Sequence, residues 1–378
     1  MAVSITVPGA SSTHFGITTN TQSSTANGTL AKSIADILNA LPPTSTTSVN
    51  GSFSGPVNNL ALNTSGQNLS VAAGPGGESY DYLTIMDGLN ETITAYGSGP
   101  FKVLAGTGSL DYTGINGAQT VLAGGGTLGG GTNIVRLSGS SGPNFVALGG
   151  GPNTVFSGAG DDTVYSGGSG TMVVSVGAGT MNFIGGSNNA TVYGGGHTST
   201  IIGGVNGSIV YTGTGAAEYH GQGGSEVFDA KLSSGNNSIY GAYNVSGSET
   251  LFGGIGDDYI NPLNAAASIV GGAGADTLVG ARFNATVAGS GNATLTGGIG
   301  NDTFEFINGY AGGHDYVTDL TANDVVNLAF YGYSPTGISN LLASATVAGG
   351  SSTITLSDST KITFVGIASL NPSNFTSS

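Results

Sequence analysis

Aspartate returns at one fixed place in three glycine-rich nonapeptides: GGIGDDYIN (253–261), GGAGADTLV (271–279) and GGIGNDTFE (297–305). Between the first two, PLNAAASIV (262–270) keeps the nine-residue length but has lost the turn sequence. An apolar residue holds the frame throughout, at Ile260, Ile269, Leu278 and Val287. If successive units lie on opposite edges of a coil, Asp258 and Asp276, eighteen residues apart, share one edge. Their separation is then about the inter-strand spacing of ~4.8 Å. Two carboxylates that close repel each other. A hard cation between them, with glycine-turn carbonyls filling its sphere, removes that cost, and roughly six to eight oxygen ligands is what calcium takes.

The elements that must position these acids follow from the same period. Residues 149–229 run as nine further units without a gap, from GGGPNTVFS to GQGGSEVFD. Their eighth place carries Phe156, Tyr165, Val174, Phe183, Val192, Ile201, Val210, Tyr219 and Phe228. An apolar ladder in step with glycine-rich turns describes short strands that bury their apolar side only by stacking. The expected fold is all-β, a parallel β-roll or β-solenoid built from nine-residue repeats. Residues 58–306 form it, with degenerate repeats over 58–252 and calcium-type repeats over 253–306. One helix is expected in the N-terminal segment 1–57, over about 29–41, where Leu30, Ile34, Ile37, Leu38 and Leu41 make an apolar stripe that Pro42-Pro43 ends. Lys32 is the only cation on its polar face, so the stripe suits a protein neighbour better than a membrane. Residues 307–378 form a C-terminal β cap, in which SSTITLSDSTKITFVGI (351–367) reads as a hairpin around Asp358-Ser359.

The nonapeptides resemble the GGxGxDxUx repeat of RTX (repeats-in-toxin) proteins. That resemblance implies a parallel β-roll, calcium held between the turns of successive coils, and export by type I secretion. It implies metal ligands at Asp258, Asp276 and Asp302, and at Asp162 in the fourth match, GAGDDTVYS. It also implies ligands from the turn backbones at Gly254, Ile255 and Gly256 and at Gly272, Ala273 and Gly274. Asn144 precedes Asp162 by eighteen residues on the same edge. The unit GSGNATLT (289–296), one residue short, places Asp302 on the edge opposite Asp276. Other units carry Asn153, Thr171, Thr180, Asn189 or Ala216 at the aspartate place, where side-chain hydrogen bonds replace metal.

Composition narrows the function. Six Lys and Arg in 378 residues, against a net charge of −15, cannot build a phosphate-binding stripe, so nucleic acid is excluded. Cysteine is absent, and no apolar run reaches the length of a membrane-spanning helix. The start MAVSITVPGASSTHFGITT does not read as a Sec signal, and the tail NPSNFTSS is similar to uncleaved C-terminal signals of type I substrates. The expected location is therefore secreted, extracellular or at the cell surface.

No HExxH, GxSxG or grouped histidines mark a catalytic centre, and the chain reads as a non-enzyme. The leading expectation is a secreted calcium-binding structural protein that self-assembles into an extracellular matrix, surface layer or filament. A second is an adhesin or a module for cell-surface glycans, with Tyr165, Tyr193, Tyr211, Tyr219 and Tyr240 as stacking platforms. A third is a carbohydrate-active solenoid using Glu218 and Glu226, which otherwise read as two solvated acids on different edges.

Overall fold

Runs of three to eight strand residues between glycine turns have too little apolar surface to stand alone, so each must lie on the next. The computed structural model describes residues 3–6, 16–19, 47–48, 60–62, 68–72, 82–85, 89–96, 99–106, 108–123, 132–137, 140–167, 172–175, 179–186, 189–243, 247–283, 291–309 and 313–378. The chain divides into two compact units, Met1–Gly207 and Ser208–Ser378. Each is a parallel β-solenoid in which consecutive strands go to alternate sheets. The helix expected over 29–41 and the ladder residue Val287 lie outside the described residues.

In the first unit, one sheet stacks Phe101–Ala105, Gln119–Ala123, Asn144–Leu148, Asp162–Ser166, Met181–Ile184 and Ser199–Ile202 in parallel register. The facing sheet stacks Glu91–Tyr96, Leu110–Gly114, Asn133–Arg136, Asn153–Phe156, Met172–Ser175 and Ala190–Gly195. Val103, Val121, Val155, Val164, Phe183 and Ile201 fill the space between them and are fully buried. A second apolar row, Leu104, Leu122, Ala147, Tyr165 and Ile184, alternates with this core on the other face of its sheet and is also buried. Val3–Thr6 and Gly16–Thr19 add an antiparallel pair that the sequence pattern does not announce.

The second unit repeats the plan. Tyr219, Ile239, Ile260, Leu278, Phe304 and Val326 form the buried ladder of one sheet, and Phe228, Leu251, Ile269 and Leu295 that of the other. Parallel stacking continues past residue 306: His314–Val317 pairs with Lys361–Phe364, and Val325–Ala329 with Phe375–Thr376. Between these strands the helix Pro335–Ala343 is capped by Ser334, whose Oγ accepts from the Gly337 N–H at 3.1 Å. The expected hairpin is present, Ser351–Thr355 antiparallel to Lys361–Phe364, with Ser359 at φ 74° in its turn.

The eighth-place ladder needs correction at three positions. Phe156 and Val210 are 41% and 36% exposed, and Tyr165 belongs to the outer apolar row. The core positions there are Val155, Val164, Ile209 and Tyr211. Side chains alternate with period two, so one residue gained or lost in a turn sends the whole strand's pattern to the other face.

Candidate metal centre

The aspartates of the calcium-type repeats open the short strands of one sheet, and the turns before them end the strands of the other. This brings Asp258, Asp276 and Asp302 into a single column on one edge, joined by Asp324 below. The column is tied by the backbone: the N–H of Asn237 donates to Oδ1 of Asp258 (2.6 Å), Asp258 to Asp276 (2.8 Å), Asp276 to Asp302 (3.0 Å) and Asp302 to Asp324 (2.9 Å). The steps are 21, 18, 26 and 22 residues, yet the rungs stay aligned. Asp302 is thus on the same edge as Asp276, not the opposite one. The short unit 289–296 does not flip the edge, because Ala293–Ile299 pairs directly with Ala266–Ala273.

Glycine at the start of each turn makes room for the acid. A Cβ on Gly253 would lie 2.4 Å from Asp258 Oδ2 and 2.5 Å from the carbonyl oxygen of Gly271. On Gly271 it would meet Asp276 Oδ2 at 2.3 Å and the Gly297 oxygen at 2.7 Å. In both rungs a carboxylate oxygen and the carbonyl oxygen of the following coil converge on one bare Cα. Both Oδ2 atoms are buried with no hydrogen-bond donor. An acceptor left this way costs free energy unless a cation or a proton meets it.

The electrostatics agree. Without a cation, burial pushes Asp258 and Asp276 up to about 7, and neighbouring carboxylates add to the shift: Asp276 and Asp257 on the first, Asp302 and Asp257 on the second. Burial also raises Asp302, with Asp324 and Asp319 contributing. Among the described residues no ion pair involves any of them. The groups that line the column are carboxylate and carbonyl oxygens, the donor set of a hard cation. Among the described residues no three His, Cys, Asp or Glu side chains form a metal-holding group by themselves, so carbonyls must complete any sphere.

The turn residues Gly254, Gly256, Gly272 and Gly274 stack closely from coil to coil. Gly254 and Gly272 stack so closely that a Cβ on Gly272, at φ +126°, would sit 2.0 Å from the Gly254 oxygen. One on Gly274, at φ +135°, would sit 2.4 Å from that of Gly256. Ile255 is 58% exposed and Ala273 partly so, and their side chains face outward. The carbonyls that share the bare glycine positions with the unpaired aspartate oxygens are those of Gly271 and Gly297.

Asp162 differs from the other three. It is buried, but Asn144 stands above it and donates to its Oδ1 from both Nδ2 (2.6 Å) and the backbone (3.2 Å). Its Oδ2 is buried without a hydrogen-bond partner, as in Asp258 and Asp276, so only Oδ1 is met by an amide. On the opposite edge, Asn133 Nδ2 donates to Asn153 Oδ1 at 2.8 Å. No protein-family model matches the chain, and no curated protein matches it.

Other candidate residues separate. Glu218 is exposed and lies 2.9 Å from His220, whereas Glu226 is 1% exposed and opens a strand of the facing sheet, so it is not the solvated acid expected. Of the tyrosines, Tyr211 and Tyr219 are core and Tyr165 is buried in the outer row; Tyr193 is 45% exposed, and Tyr240 stacks on His220 at 5.2 Å. Among the described residues no helix is long and apolar enough to cross a membrane.

Proposed function

We propose that this chain is a secreted, calcium-binding structural solenoid of the RTX kind that assembles with further copies of itself into an extracellular layer, matrix or filament. One observation carries the calcium reading: the unpaired Oδ2 atoms of Asp258 and Asp276, each set beside a carbonyl of the next coil. Adjacent pairs in the column, Asp258 with Asp276 and Asp276 with Asp302, would each hold an ion, with the carbonyls of Gly271 and Gly297 beside them. The ion supplies positive charge where the fold has gathered only acceptors.

Assembly is supported by the end of the second unit. Thr346–Ala348 is the last strand of its sheet, all three residues are exposed, and Val347 is 57% exposed. Such an edge is a template for pairing with another chain. The glycan-binding reading rests on exposed Tyr193 and on the Tyr240–His220 stack, and a glycan array without hits would remove it.

The deciding experiment is a calcium titration of the whole chain followed by circular dichroism and light scattering. Calcium-dependent ordering together with growth in particle size is expected. A chain equally folded and strictly monomeric with calcium and with chelator would overturn the proposal.

A further inference from the structure

On the edge opposite the aspartate column, two units carry glutamate at the aspartate place: Glu226 in GQGGSEVFD and Glu249 in GSETLF (247–252). They open the strands Glu226–Asp229 and Ser248–Gly254 and face each other in parallel register. Both are buried, at 1% and 2% exposure.

Their surroundings are unequal. Glu226 is saturated by the Tyr219 hydroxyl (3.1 Å), the Gln222 N–H (3.0 and 3.1 Å) and the Gly223 N–H (2.9 Å). Glu249 Oε1 accepts from the Ala242 N–H at 2.7 Å, but Oε2 is buried and meets no donor. Another acceptor lies on the same side of Gly241. A Cβ on Gly241 would lie 2.1 Å from Oε2 and 2.6 Å from the Pro262 carbonyl oxygen.

This is the Asp258–Gly253–Gly271 arrangement rebuilt from other residues. A glycine ends one strand, an acid opens the next, and the following coil supplies a carbonyl. A Cβ on Gly221 would lie 2.7 Å from Glu226 Oε2 and 3.1 Å from Glu249 Oε1, so the second carboxylate borders the same space. We propose that Glu249, Glu226 and the Pro262 carbonyl form a second, separate pocket for a hard divalent cation of calcium's class. All the groups available are oxygens, and the imidazole of His220 is engaged elsewhere, against Glu218 and Tyr240. The pocket stands on its own residues and does not depend on the aspartate column.

The test is calcium stoichiometry by equilibrium dialysis on the full chain, for the parent, Glu249→Gln, Asp258→Asn/Asp276→Asn, and the three changes combined. Glu249→Gln is expected to lose one calcium equivalent, and to do so again in the Asn/Asn background. Unchanged stoichiometry in Glu249→Gln overturns the pocket, and a higher melting temperature of that variant in chelator would then identify a shared proton instead. Loss of calcium only in Asp258→Asn/Asp276→Asn leaves the aspartate column standing and this pocket refuted; loss only in Glu249→Gln does the reverse. Terbium gives a readout that does not need Glu249→Gln to fold. The protein has no tryptophan, and Tyr219 bonds Glu226 directly, so terbium emission sensitised by tyrosine should persist in Asp258→Asn/Asp276→Asn and be lost on adding Tyr219→Phe. Emission indifferent to Tyr219→Phe counts against the pocket.

Discussion

The backbone N–H of Asp258 donates to Oδ1 of Asp276 across 2.8 Å, and Asp276 in turn donates to Asp302. Each carboxylate is therefore fixed through one oxygen while the other is free to meet an ion. Position and charge are separable in this arrangement, and substitutions can address them one at a time.

Asp258→Ala and Asp276→Ala remove both functions. Each should lower calcium affinity at least about tenfold, equivalent to ~1.4 kcal/mol, and lower the melting temperature in calcium. Asp229→Ala, whose partner is Lys231 at 3.5 Å, should do neither. Isothermal calorimetry and thermal melts check all three.

Asparagine substitutions separate the terms. Asp258→Asn keeps an oxygen for the Asn237 N–H and removes the repulsion from Asp276. In chelator this variant should melt higher than the parent, and added calcium should shift it less. A lower melting temperature in chelator would contradict the account of unpaired carboxylates.

The pH dependence without calcium should run against ordinary acid denaturation. Asp258, Asp276, Glu226 and Asp315 sit near 7 and Glu249 near 8 when folded, raised by burial from 3.8 for Asp and 4.5 for Glu. The folded state thus binds protons that the unfolded state does not, between those two ranges. The resulting stability is fully present below about pH 4 and is lost as pH rises through 7 to 8. Denaturant midpoints in chelator should accordingly increase from pH 8 to pH 5, and calcium should flatten the curve.

Close stacking of turns makes particular glycines irreplaceable. Gly272→Ala places a Cβ 2.0 Å from the Gly254 oxygen at a positive φ, and should cost more than about 3 kcal/mol. Gly309→Ala, at φ +92° with nothing within 4 Å, should cost only ~1–2 kcal/mol. Equilibrium unfolding of the two variants measures the difference.

Deleting 371–378 should destabilise the second unit. Asn374 Nδ2 donates to the carbonyls of Thr321 (2.9 Å) and Asp324 (2.7 Å), and Phe375 packs edge-on against Phe364. Without them Val325–Ala329 becomes an open edge, so light scattering should rise at a temperature where the parent stays clear.

The solenoid was legible because a nine-residue period with an apolar place admits few other folds. Ile260, Ile269 and Leu278 stand where that period puts them. What the period could not carry was its own interruption. A coil of 26 residues between Asp276 and Asp302 looks, in sequence, like a change of edge, whereas pairing of Ala293–Ile299 with Ala266–Ala273 restores the column. The single-residue slips at Phe156 and Val210 have the same origin. Glu226 and Glu249 were overlooked as members of the acid place because the motif names aspartate. Their signal was present in the frame, as an acid two places ahead of a core ladder residue, Phe228 and Leu251. The carbonyls of Gly271 and Gly297 carry no side-chain signature and needed coordinates.

The aspartate column also has a direction. The N–H groups of Asp258, Asp276 and Asp302 donate to the acid of the coil that follows, while the next N–H along, of Thr277, Thr303 and Val325, donates back to the carbonyl of the aspartate before, and the series terminates at Asp324, whose second oxygen takes the N–H of Thr321 in its own turn and whose carbonyl Asn374 secures. Each rung is thus stitched to both of its neighbours, so loosening one aspartate turn should loosen the coil on either side of it.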